Sequence, residues 1–168
     1  MQGSDVLQII AEVAIALTGF TGIVVALRGR EPQSLEGFAG IRFRILLIAS
    51  LLALACALLP FFCHHLGASP AVTWTVCSAV IVLVMVPIVV HDVRAFRGFS
   101  AEIPLLDRRL APFIGVVGLI VWGAQIANVL TLHTFAAYLT APLWFLGFSA
   151  LQFARLLLAP SPSGTTTR

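Results

Sequence analysis

The chain has 168 residues, 60% of them hydrophobic and only 10% charged, with a formal net charge of +3 and a mean hydropathy of +1.04. Soluble domains carry about 25% charged residues, so this composition excludes a water-solvated globule and makes lipid the solvent. The length accommodates one domain of five spans of about 20 residues each and leaves no stretch for a separate catalytic domain outside the membrane.

The first span is expected over residues 6–27, interrupted by Gln8 and Glu12. It lacks a basic leading region, carries Asp5 and Glu12, and runs straight into Arg28 and Arg30, which marks a retained helix and not a cleaved signal peptide. The second is expected over 43–64, with its helix extended backwards through Arg44, Arg42 and Glu36 to a Ser34 cap. The third, 71–91, holds Pro87 as a kink, and Asp92 with Arg94 just beyond it reads as part of a salt-bridge belt. Residues 100–110 alternate apolar and charged side chains, and Pro104 suits the start of a short helix in the headgroup plane.

Residues 110–154 hold His133 as the only side chain that charges near neutral pH. One helix of that length would extend about 67 Å against a hydrocarbon core of about 30 Å, so the stretch is a hairpin of two spans, 111–132 and 136–157. The reversal falls between Leu132 and Thr140. The later position is preferred, with Thr140 as cap, Pro142 in the first turn and Tyr138 at the interface. Residues 159–168, rich in Pro, Ser, Thr and Gly, read as a disordered tail.

All ten basic residues are arginines. Arg28, Arg30, Arg42 and Arg44 lie between spans one and two or at the inner edge of span two. Arg94, Arg97, Arg108 and Arg109 lie between three and four, and Arg155 and Arg168 close the chain. Short Arg-rich connections stay in the cytoplasm, which gives an all-α, polytopic, five-helix domain over residues 1–158 with its N-terminus out and C-terminus in. Arginine to the exclusion of lysine points to a GC-rich bacterial genome, hence the bacterial cytoplasmic membrane. These arginines meet anionic headgroups, so the partner they imply is the lipid bilayer and not nucleic acid.

Glu12 is the residue most at odds with its surroundings, because an ionised carboxylate facing lipid costs a few kcal/mol. Gln8, Ala16, Gly19, Ile23 and Ala26 fall within about 40° of it on a helical wheel. Ala14, Thr18, Gly22 and Ala26 add a small residue every four positions, the spacing that lets backbones approach. Helix one is therefore expected to be the best-packed helix, with Glu12 either an ion- or proton-binding group or a hydrogen-bonded packing residue. Gln125 and Asn128 lie about 60° apart on span four, and Ser149 and Gln152 share a side of span five. Such groups bond between helices or line a pore.

Cys56, Cys63 and Cys77 read as small packing residues; Cys63 and Cys77 both lie toward the outer face, but at depths that argue against a bridge. His64, His65 and His133 gather at the same face as weak metal candidates, since adjacent histidines on a helix point apart. No phosphate loop, nucleophile elbow or zinc-binding motif occurs in the sequence, and no cofactor is implied. The expectation is a non-enzymatic membrane protein: an oligomeric conduit for ions, protons or a small solute using Glu12, with Gln8, Gln125 and Asn128 as further lining, or an accessory or scaffold subunit of a membrane complex in which Glu12 is structural.

Overall fold

The computed structural model describes residues 3–28, 38–98 and 105–158. They form α1 (Ser4–Arg28), α2 (Phe38–His65), α3 (Pro70–Gly98), α4 (Leu105–Ala127) and α5 (Phe135–Leu158), with a π-helical turn (Asn128–Leu132) completing α4. All five are long and apolar enough to cross a membrane, and the described residues contain no strand. The fold is that of a multi-pass helical membrane protein. The expected Ser34 cap, the start of the headgroup-plane helix at 100–104, the tail at 159–168 and the Asp92 side chain lie outside what is described.

Several local expectations are corrected. Residues 105–110 are not a separate helix but the first turns of α4, since no breaker intervenes before Pro112, and α4 continues through that proline. The reversal between α4 and α5 comes early, at 133–134, and Pro142 lies inside α5. Thr134, not Thr140, makes the cap: its hydroxyl accepts the Ala137 N–H at 3.4 Å and its carbonyl the Tyr138 N–H at 3.3 Å. His133 reverses the chain in the left-handed conformation (φ 51°), and its N–H donates to the Asn128 carbonyl at 3.1 Å. Tyr138 therefore points into the protein, fully buried, and not toward the interface.

α2 and α5 share the most extensive contact. α1 packs chiefly on α2 and α5, and α3 and α4 close the other side. The core joins Leu7 and Ala14 of α1, Ala53 and Cys56 of α2, Trp74, Cys77 and Ile81 of α3, and Tyr138, Ala141 and Phe145 of α5. Trp74 lies with its ring centroid 5.1 Å from Phe135 and 5.6 Å from Tyr138. The ladder of small residues that the fold buries is on α2, where Ala49, Ala53 and Ala57 recur every fourth position.

Proline creates a specific need inside this core. A proline at position i removes the N–H that would pair with the carbonyl at i−4, and in lipid no water replaces it. Pro60 frees the Cys56 carbonyl, and the Tyr138 hydroxyl donates to that oxygen. Pro142 frees the Tyr138 carbonyl, and Gln125 Nε2 lies 3.5 Å from it. The Cys56 carbonyl thus finds a donor on another helix, and the Tyr138 carbonyl sits at the outer edge of hydrogen-bond distance from the Gln125 amide.

The α2–α3 turn is equally defined. Gly67 adopts φ +79°, the Ala68 N–H donates to the Cys63 carbonyl and the Gly67 N–H to the His64 carbonyl, which together make a Schellman motif. Ser69 then caps α3, its carbonyl accepting the Thr73 N–H at 2.9 Å, with Pro70 at the first helical position.

Candidate functional site

On α1 the buried residues Leu7, Ile10, Ala14 and Thr21 face α2 and α5. Glu12 lies within about 40° of diametrically opposite the Leu7–Ala14–Thr21 line, and it is exposed, as are Gln8, Ala16, Gly19, Gly22, Ile23 and Ala26. A Cβ added at Gly19 or Gly22 would meet nothing within 4 Å. The expectation that α1 is the best-packed helix fails within this chain. Ala14 is buried and Thr18 half-buried, but the face holding Gly19, Gly22, Ala26 and Glu12 is turned away from the bundle. The wheel contained two candidate faces, and the apolar residues Leu7 and Ile10 decided which one turned inward.

On that outward face Gln8 Nε2 donates to Glu12 Oε1 at 3.0 Å. Glu12 stands eight residues beyond Ser4, about 12 Å along the helix, inside the apolar stretch Ser4–Ile23. The bond gives one carboxyl oxygen a partner, and both groups remain accessible from outside the bundle. A hydrogen-bonding helix or a cation could reach them there.

Gln125 and Asn128 are fully buried and do not meet Glu12. Asn128 Nδ2 donates to Ser78 Oγ at 2.8 Å, joining α4 to α3, while its Oδ1 accepts the Thr134 N–H at 2.8 Å. Gln125 Nε2 donates to the Ala137 carbonyl and to Thr140 Oγ1, each at 2.9 Å. Both amides therefore tie helices and turns together. Ser149 Oγ lies 3.5 Å from the Leu46 carbonyl, joining α5 to α2. An apolar hollow of about 250 Å³ between α2, α3 and α5, bordered by Leu52, Leu59, Val80, Met85 and Phe145, supplies no polar path.

Sequence reasoning did not single out Ser78, Thr134 or the inward role of Tyr138. Pro60 in an otherwise uncharged span was the available signal for Tyr138, because its freed carbonyl requires a donor from elsewhere.

At the end of the bundle holding the 66–69 and 133–134 turns, the histidines diverge. His133 Nδ1 lies 2.7 Å from Thr75 Oγ1, and His65 Nδ1 lies 2.8 Å from the Phe61 carbonyl. Among the described residues no three His, Cys, Asp or Glu side chains are grouped to hold a metal ion. The depth argument against a Cys63–Cys77 pairing is corrected: their sulfurs lie 3.8 Å apart. The Schellman turn brings the end of α2 alongside the second turn of α3, so the two cysteines face each other despite unequal distances from their helix ends.

The fold defines a helical multi-pass membrane protein. Compared with protein-family models, curated proteins and solved structures, the chain finds no match.

Proposed function

We propose that this chain is a non-enzymatic protein of the bacterial cytoplasmic membrane, oriented N-out and C-in, that acts as a docking or scaffold subunit of a membrane complex. The observation that carries this reading is the outward face of α1, where the Gln8–Glu12 pair at 3.0 Å is continued by the open glycines Gly19 and Gly22. A charged carboxylate at depth costs about 2.5–3.5 kcal/mol on insertion scales. A neighbouring helix that donates a hydrogen bond to Glu12 and packs on the glycines relieves that cost.

The second reading is an oligomeric conduit in which the Glu12 carboxylates of several copies meet around a shared path. Their outward direction favours it. The scaffold reading is preferred because the face below Glu12 continues as Gly19, Gly22, Ile23 and Ala26, without a polar group to carry an ion onward. Gln125 and Asn128 are already engaged in bonds between elements of the fold.

The test compares wild type with Glu12→Leu/Gly19→Leu, solubilised in mild detergent, by native mass and by thermal melting. The double variant is expected to shed its neighbour, whether a second copy or another protein, while the isolated chain melts within about 0.5 kcal/mol of wild type, as for substitutions that touch nothing. An unchanged assembly, or a wild type that is a lone chain in native membranes, refutes the reading. Proton or ion flux in liposomes that disappears in Glu12→Gln selects the conduit.

A further inference from the structure

We propose that Cys63 and Cys77 are a disulfide-forming pair that staples α2 to α3 at the end of the bundle where the 66–69 turn lies. The sulfurs are 3.8 Å apart on two different helices. Closing to a bond of about 2.05 Å requires a displacement of about 1.8 Å, within the reach of side-chain rotation.

The backbone holds the two residues in this relation. Cys63 is the residue whose carbonyl accepts the Ala68 N–H in the Schellman turn. Ser69, on the far side of the turn, caps the helix that carries Cys77. The turn between the two helices is thus closed by backbone hydrogen bonds at both of its ends, which limits how far the cysteines can separate. Cys56 stands apart, seven residues or about 10.5 Å below Cys63 along α2, so the three thiols divide into one pair and one single residue.

The pair differs in access. Cys63 retains 8% of its surface, two residues from the end of α2, whereas Cys77 has none. Cys63 is therefore the attacking thiol. As the thiolate it displaces one sulfur from a disulfide-bearing oxidant, protein or small molecule, forming a mixed disulfide and releasing the oxidant's first thiol. Cys77 then loses its proton and attacks the Cys63 sulfur, releasing the second. Two thiols of this chain are oxidised by two electrons and one disulfide is reduced to two thiols, with protons balanced. Oxidants of this kind act outside the cytoplasm, so the inference rests on the N-out reading, which places the 66–69 turn outside.

The test uses the full chain in its native membrane. Cells are quenched in acid and dissolved in SDS with a light maleimide. The protein is then reduced and treated with a heavy maleimide, and the labels are counted by mass. The expected result is one light and two heavy labels on wild type, no heavy label on Cys63→Ser or Cys77→Ser, and two retained on Cys56→Ser. Three light labels on wild type overturn the proposal. The topology is read separately, from Ser69→Cys in a chain with its three cysteines changed to serine, treated in intact cells with a membrane-impermeant maleimide. Three light labels with position 69 reachable mean that the pair stays reduced in an oxidising space. Three light labels with position 69 unreachable overturn the orientation as well.

Discussion

Removing the Tyr138 hydroxyl should damage the protein because of a proline on another helix. Tyr138 is fully buried and donates to the Cys56 carbonyl, the oxygen that Pro60 leaves without its helical partner. Tyr138→Phe keeps the ring against Trp74 and deletes only the donor. The loss comprises a hydrogen bond with a net value of about 1 kcal/mol and a buried carbonyl left with no donor, for a total of about 2 kcal/mol. In a Pro60→Ala background the restored N–H at position 60 can bond the same carbonyl. There Tyr138→Phe should cost under about 1 kcal/mol, a coupling of about 1 kcal/mol. Equilibrium unfolding in mixed detergent–SDS micelles measures all four corners of the cycle. Equal costs in both backgrounds, or a harmless Tyr138→Phe in the wild-type chain, would refute the assignment of the hydroxyl to the proline's carbonyl.

Asn128→Ala removes two side-chain hydrogen bonds of 2.8 Å; at about 0.6 kcal/mol per interhelical bond in a membrane, with the buried Ser78 hydroxyl orphaned, the same unfolding assay should show a loss of about 2 kcal/mol. A loss below about 0.3 kcal/mol would mean that water reaches Asn128 and restore it as a pore-lining candidate. Gly67 has φ +79° and open space around it, so Gly67→Ala should cost about 1 kcal/mol through backbone strain alone, with Gly67→Asn milder; equal stability of the three would place the turn in another conformation. A reporter active only outside the cytoplasm should work when fused at His65 or His133 and fail at Gln33, Ala101 or Arg168. Activity at Arg168 would contradict the odd number of crossings.

The helices were legible because two strong signals agreed, unbroken apolar length and the grouping of arginines at alternate connections. What each helix does with its sides was less so. On α1 the small residues and Glu12 formed a pattern as suited to an inward face as to an outward one, and only Leu7 and Ile10, buried on the other side, settle the rotation. Thr134 and Thr140 are equally good caps by composition. The choice fell to Thr134 because Asn128 bonds its N–H, a contact between residues whose pairing no periodicity reveals. Gln125 and Asn128 were legible as polar residues in need of partners, but the partners' identities depended on where that turn fell. Counted from the ends of straight spans, Cys63 and Cys77 differ in depth; they meet because a capped turn offsets α3 against α2.

The bond from Tyr138 to Cys56 also sets an order of events during synthesis. Its two ends are 82 positions apart in the chain. At about 5–20 residues per second, the carbonyl's donor emerges about 4–16 s after the carbonyl itself. Throughout that interval the Cys56 carbonyl lacks this donor, which only α5 supplies. A nascent chain arrested after α4 would thus carry a backbone carbonyl in α2 without the donor that the completed fold supplies.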